Sequence, residues 1–464
     1  MPPAIASVVV AVGIVGLFIL DRDRRSSHTS KALGIPVVWL LIAGSRPVSL
    51  WLQPGSRVTS ADGFNVEGNP VNTVVFSALL AVGLIVLVSR GRQIGKLLQA
   101  NWPMLLFFSY CALSTIWSEY PGAGFRKWIR STGDPVMVLI VLTDSEPAAA
   151  LKRLLARTSF LLLPLSVLLI KYYPILGRAY SNGWELMYTG VAQHKNTLGM
   201  TCLVLCLGFL WRFIEDYRTK GKPHWRRHLL ADGAILATGV WLLWTANSAT
   251  SLSCFLMMTA LIAVTSLSRR DRKLAVVHLI VATLISLSLY ALFFDAGGGL
   301  VESVGRNPTL TGRTGVWRQV LALAGNPWFG VGFESFWLGT RLQTMWNNNV
   351  GFLVNQAHNG YIEVYLNLGW CGITLLAVLI VTGYRNVIIA FRRDGQLGRL
   401  KLAYFVAAVI YSLTEAGFRM ASPIWIFFLL ATTAVPKPSA RLAPTLGKQV
   451  TPSSCRVPEC EGVS

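Results

Sequence analysis

Three short clusters hold residue types able to do chemistry. In Asn355-Gln356-Ala357-His358-Asn359-Gly360-Tyr361-Ile362-Glu363, His358 suits general-base work because an imidazole can change charge near neutrality. Glu363 is a competing base, as is Glu334 upstream. The spacing puts His358, Tyr361 and Tyr365 on one helix face if the helix begins early enough; a hydrogen-bonded structural histidine fits equally. In Leu310-Thr311-Gly312-Arg313-Thr314-Gly315-Val316-Trp317-Arg318, a turn with two glycines opens a short helix bearing Arg313 and Arg318. Such a start can hold an anion through backbone N–H groups and arginine forks, although an ordinary capped helix with solvated arginines has the same spacing. Arg126 and Arg130, with Lys127 between them, share a helix face and match the geometry of phosphate oxygens. The alternatives for them are reaching toward lipid headgroups or an Arg130–Asp134 ion pair. Arg46 in Gly44-Ser45-Arg46-Pro47 and His194-Lys195 in Gln193-His194-Lys195-Asn196 complete the set; the latter stretch could bind a sugar or simply end a loop.

The elements that must position these residues are membrane spans. The chain has 464 residues, 53% hydrophobic and only 14% charged, against roughly 25% charged in soluble domains, which excludes a soluble single-core protein. Apolar runs of spanning length fall near 4–20, 34–52, 71–89, 102–118, 127–143, 155–173, 194–211, 229–245, 250–267, 274–294, 361–382, 401–417 and 421–435. The net charge of +21 would suggest nucleic acid in a soluble protein. Here most basic residues sit in alternate connections: Arg22 to Lys31, Arg90 to Lys96, Lys152 to Arg157, Arg212 to Arg227, Arg269 to Lys273, Arg385 to Lys401, and the tail from Lys437. That excess marks the cytoplasmic face, with the N-terminus outside and the tail inside, and nucleic acid is not needed. Segment 4–20 lacks a basic n-region and is followed by Asp21-Arg22-Asp23-Arg24-Arg25, so it reads as a retained anchor rather than a signal peptide. The seven cysteines form no CxxC or Cys/His cluster that would hold a metal.

One connection, 295–360, is far longer than ordinary helix–helix loops. Its aromatic content, including Trp317, Trp328, Phe329, Phe336, Trp337 and Trp346, predicts a small folded cap on the outer side, with a helix-like stretch from Arg313 to Ala324. The expected organisation is ten spans over 1–294, the cap over 295–360, three spans over 361–435 and a disordered cytoplasmic tail over 436–464.

With these residues in view the chain resembles the O-antigen ligase/polymerase superfamily of bacterial envelope glycosyltransferases, and within it the ExoQ-like exopolysaccharide polymerases. The matching segments are Ser45-Arg46, Trp117-Ser118, Gly190 to Gly199, Leu310 to Thr314 with Trp317, Asn326-Pro327-Trp328-Phe329-Gly330-Val331-Gly332, and Ala357 to Glu363. The resemblance implies an all-α polytopic inner-membrane protein of about 12–13 transmembrane helices, GT-C-like, with one large periplasmic loop. It implies transfer of a glycan from an undecaprenyl-diphosphate-linked oligosaccharide donor to a saccharide acceptor, without cofactor or metal, in the lipid bilayer and with export or chain-length-control partners. It maps the base onto His358, with Asn359 beside it, and diphosphate binding onto Arg313 and, less directly, onto Arg126 and Arg130. Related proteins often carry a basic residue in a Ser-basic-Ser/Thr motif, where this chain reads Asn247-Ser248-Ala249-Thr250-Ser251, so either another arginine substitutes there or the family's site carries over incompletely. The competing functions are ligation onto lipid A-core, transport or flipping of a lipid-linked saccharide, and a non-enzymatic assembly role.

Overall fold

The computed structural model describes residues 1–21, 29–52, 68–180, 185–218, 220–221, 224–267, 273–293, 310–348 and 354–436. The tail expected after Pro436, the beginning of the long connection (294–309) and the basic residues Arg22, Arg24, Arg25, Arg269, Arg270 and Arg272 lie outside them. The chain is a multi-pass, all-helical membrane protein. Nine helices among the described residues are long and apolar enough to cross a membrane, and Lys31–Ala43, Trp102–Trp117 and Pro423–Thr432 are shorter apolar ones.

Helix Gly395–Thr414 is the centre, buried along most of its length, with Gly360–Arg393, Pro423–Thr432, Ala249–Leu267 and Lys195–Arg218 packed around it. Helices Pro3–Leu20 and Lys273–Phe293 are peripheral, and their exposed valines and leucines face what must be lipid, because no other solvent tolerates such a surface. Arg212 ties several helices together at the basic end. It donates to Asp232 at 3.1 Å and to the Lys152 carbonyl at 2.8 Å, and it pairs with Asp21 after the first helix.

Three expected spans are interrupted. Segment 34–52 splits into Gly34–Ala43 and Val48–Leu52 at Gly44-Ser45-Arg46-Pro47, because proline supplies no N–H and disfavours helix in the residue before it. Segment 127–143 is two helices, an amphipathic Pro121–Ser131 and an apolar Gly133–Leu142, parted at Thr132. The third break shapes the site. Helix Gly360–Arg393 has 34 residues and contains Gly369 at φ 63, ψ −163. Only Asp394 separates it from Gly395–Thr414, and Asn359 Nδ2 donates to the Leu413 carbonyl at 2.9 Å. Leu413 stands about 27 Å along its helix from Gly395, whereas an unbroken partner would put Gly360 about 50 Å from Arg393. The two can meet only because the chain reverses sharply at Gly369. Residues 360–368 therefore form a re-entrant helix of about 14 Å whose N-terminus points back into the bundle.

The reversal frees backbone groups that lipid could not satisfy. The Asn326–Gly332 segment supplies the partners: Trp370 N and Cys371 N donate to the Pro327 and Trp328 carbonyls (2.9 and 3.0 Å), and Val331 N and Gly332 N donate to Leu366 and Asn367 (3.2 and 2.9 Å). Backbones approach too closely for side chains here. A Cβ on Gly369 would lie 2.3 Å from the Trp328 carbonyl carbon, and one on Gly330 2.4 Å from that of Asn367. Beyond this plug, helices Leu310–Ala322 and Gly339–Asn348 close over a small apolar core of Val320, Phe336, Trp337, Leu342, Met345 and Ala357. Outside the helices, strands Arg178–Tyr180 and Leu186–Tyr188 form an antiparallel hairpin, a feature the hydropathy pattern did not predict.

Candidate functional site

The inward-pointing end of the re-entrant helix sets the chemistry. Asn359 caps it, its Oδ1 accepting from Tyr361 N and Ile362 N at 2.9 and 3.1 Å, as expected of an Asn N-cap. Because the cap is Asn359, His358 cannot share the helix face expected for it with Tyr361 and Tyr365. It stands outside the helix at φ 51, a left-handed conformation that residues with a Cβ adopt sparingly and that clusters at functional sites.

The left-handed turn aims the imidazole at Glu415, the residue that ends helix Gly395–Thr414. His358 Nδ1 is 3.1 Å from Glu415 Oε2, and Arg313 Nη2 donates to Glu415 Oε1 at 2.8 Å. Asn196 Nδ2 donates to the same Oε1 at 2.9 Å. The Glu415 side chain is only 5% exposed, Arg313 16% and His358 30%, so the carboxylate is enclosed while the imidazole remains reachable. Four distant stretches thus converge: the cap helix, the His-Asn turn, the start of Lys195–Arg218 and the end of the central helix. Trp317 Nε1 donates to the Ala357 carbonyl at 2.8 Å, fastening the arginine helix to the histidine turn.

Glu415 was not recognised in the sequence. The available signal was a carboxylate at the end of a strongly apolar run, in Leu413-Thr414-Glu415-Ala416-Gly417, where burial is costly without partners. Glu363, expected as a catalytic base, is placed differently: buried, it accepts from Trp337 Nε1 at 2.9 Å and from Ala357 N. Each of its oxygens accepts one hydrogen bond, so the carboxylate ties the cap to the turn that carries His358.

The other candidates are dispersed. His194 accepts from Asn196 N through Nδ1 at 3.3 Å and, with Lys195, borders the Glu415 centre through that asparagine. Arg318 is exposed one turn beyond Arg313. Arg46 donates from Nε to the Ala192 carbonyl at 3.2 Å and from Nη2 to the Leu176 and Gly190 carbonyls; it pins the Gly190–Asn196 stretch that carries Asn196, and does not join the Glu415 cluster. Arg126 is exposed on helix Pro121–Ser131, while the guanidinium of Arg130 lies 3.8 Å over the Phe76 ring. The Arg130–Asp134 pair considered from the sequence is not the arrangement found, because Asp134 accepts from Trp39 Nε1 at 2.9 Å and Ala421 N at 2.8 Å. Lys127 donates to the Glu334 carbonyl at 2.8 Å, close to Arg419. In the stretch that lacks the basic residue of the family pattern, Ser248 and Ser251 bond each other at 3.0 Å and Thr250 bonds Thr414. This neutral wall sits beside Glu415, and Arg313 reaches the same place from the cap.

The family model described as O-antigen ligase matches residues 233–377. The chain is similar to the exopolysaccharide production protein ExoQ of Rhizobium meliloti (strain 1021), 26% identical over 329 residues, which cover 68% of this chain and 69% of that protein. The resemblance carried by the motifs is therefore found over most of the chain, and it supports an enzyme with a membrane O-antigen ligase/polymerase-type function.

Proposed function

We propose that the protein is a glycosyltransferase that moves a glycan from an undecaprenyl-diphosphate carrier to a saccharide hydroxyl at the periplasmic face, and that it polymerises exopolysaccharide repeat units. The observation that carries this reading is the convergence of His358 and Arg313 on the enclosed Glu415 carboxylate. A carboxylate accepting from Nδ1 holds the imidazole in the tautomer whose Nε2 lone pair is available. The acceptor hydroxyl gives its proton to Nε2 as its oxygen forms the new bond to the anomeric carbon. The bond from that carbon to the diphosphate oxygen breaks, and its electron pair leaves with the diphosphate. Arg313 keeps donors beyond the one given to Glu415 and, with Lys195 nearby, stabilises the charge that develops on the leaving group. No metal is required for this step.

A single displacement inverts the anomeric centre, whereas retention would need a free carboxylate nucleophile. Glu415, the carboxylate at this centre, is held by three donors. Transfer of a finished polymer to lipid A-core would use the same groups, and a transporter of lipid-linked saccharide would not need the His358–Glu415 contact. Analysis of lipid-linked intermediates in cells lacking the protein separates these readings. Undecaprenyl-linked single repeats accumulate if a polymerase is missing and linked polymers if a ligase is missing; repeats confined to the cytoplasmic leaflet would replace the enzyme reading with transport.

A further inference from the structure

At the end of the bundle opposite His358, a cavity of about 210 Å³ lies between the start of helix Trp102–Leu113, the basic-end portion of Gly360–Arg393 and the end of Pro423–Thr432. Arg385, Asn101, Asn386, Thr382 and Trp102 line it, together with Leu379. The amide of Asn101 is committed to the Leu97 and Ala434 carbonyls, and that of Asn386 gives one hydrogen to Thr432 O at 2.9 Å, which leaves it a second. Arg212, Arg313 and Arg341 are each paired with a carboxylate. At Arg385, by contrast, no carboxylate is among the described residues that line the cavity.

The surroundings indicate what kind of anion fits. Farther along the same two helices from the basic end, Leu105 and Leu106 on one and Val381 on the other are exposed apolar residues, a surface that suits hydrocarbon. Trp102 is 55% exposed at its lip, the placement of an interfacial indole. Helix Gly91–Ala100 crosses this end of the bundle, with Leu97 turned inward and Lys96 exposed. Its two flanks are anchored by Arg90 on Ile140 O at 2.8 Å and by Asn101. A pocket between spans that carries an arginine, near exposed apolar side chains and beside an amphipathic helix, has the composition of a phospholipid site.

We propose that this cavity binds the phosphodiester headgroup of an anionic phospholipid from the leaflet at the basic end, with Arg385 and the free Asn386 N–H on the phosphate and the acyl chains along Leu105, Leu106 and Val381. This inference is independent of the glycosyltransferase reading. It explains why a lone arginine faces a polar hole at the depth where headgroups lie, and it assigns no role to the His358 centre.

The full-length protein, extracted from nanodiscs of phosphatidylcholine containing a minor fraction of phosphatidylglycerol, would be analysed by native mass spectrometry for retained lipid. The wild type should keep one phosphatidylglycerol out of proportion to its abundance. Arg385→Gln should weaken retention roughly tenfold, as loss of charge-assisted bonds does, and Arg385→Lys should restore part of it. Arg393→Gln, at the same end but off the cavity, should change nothing. Thr382→Phe, which fills the hole without altering charge, should act like Arg385→Gln, and this guards against a variant that merely unfolds. Equal retention of the two lipids by the wild type, or full retention by both Arg385→Gln and Thr382→Phe, would overturn the proposal. So would displacement of the lipid by millimolar inorganic phosphate, which would make the hole a site for a soluble anion.

Discussion

His358 is held where a base is useful, by a neighbour that can also be tested. If it takes the acceptor proton, His358→Ala should lower transfer from purified lipid-linked donor by roughly 10²–10⁴-fold while donor binding survives. His358→Gln and His358→Asn keep one hydrogen bond to Glu415 but carry no titratable nitrogen, so near-normal rates in either would reduce His358 to a structural residue. Glu415→Gln is the complementary change. It preserves shape and removes the charge that orients both His358 and Arg313, a loss of about 1.5–3 kcal/mol for a hydrogen bond to a charged group, or roughly 10- to 100-fold in rate. If Glu415→Gln transfers at the wild-type rate, the carboxylate contributes only to packing. The histidine and arginine were legible in the sequence because their residue types and flanking turns carry chemical meaning. Glu415 was not, since its partners His358, Arg313 and Asn196 lie 57, 102 and 219 residues away in the chain, and a lone acidic residue after an apolar run looks like a span boundary.

At the scale of elements, the reversal at Gly369 places the site, and hydropathy does not register it. The apolar run through 361–382 reads as one span because composition averages over both arms of the turn; only the positive φ and the docking of 326–332 distinguish them. The Asn-Pro-Trp-Phe-Gly-Val-Gly stretch is recognisable as a motif, but its task, supplying partners to a broken helix, exists only in three dimensions. Gly369→Ala should therefore be costly. The new Cβ meets the Trp328 backbone at 2.3 Å in a conformation already disfavoured for L-residues, together at least about 2 kcal/mol. Thermal unfolding in detergent should show a clear drop for Gly369→Ala, accompanied by loss of transfer as His358 shifts. Gly315→Ala, where nothing lies within 4 Å of the added Cβ, should be neutral or slightly stabilising. Equal melting of both variants would mean that the close approach is not what sets the turn.

For the whole molecule, function depends on which end faces which compartment, and the two ends differ in charge. Arg385, Arg392, Arg393, Arg399 and Lys401 cluster where Gly360–Arg393 meets Gly395–Thr414, while the cap and the Glu415 centre occupy the other end. Positive-inside sorting would put the first end in the cytoplasm, and the reaction proposed above, on lipid carriers that have already crossed the membrane, would need the second end outside. The orientation is thus a prediction of both the charge pattern and the proposed substrate. Replacing Cys371 together with Cys455 and Cys460 of the tail first removes the background thiols, since the other four cysteines, Cys111, Cys202, Cys206 and Cys254, are buried. A cysteine at Thr340, on the cap and exposed, should then react with a membrane-impermeant maleimide in cells whose outer membrane alone has been opened. A cysteine at Arg392 should react only after the inner membrane is also permeabilised. The reverse pattern would turn the molecule over, and the His358 centre would then face a compartment where nucleotide-activated sugars, rather than translocated lipid-linked glycans, are the available donors.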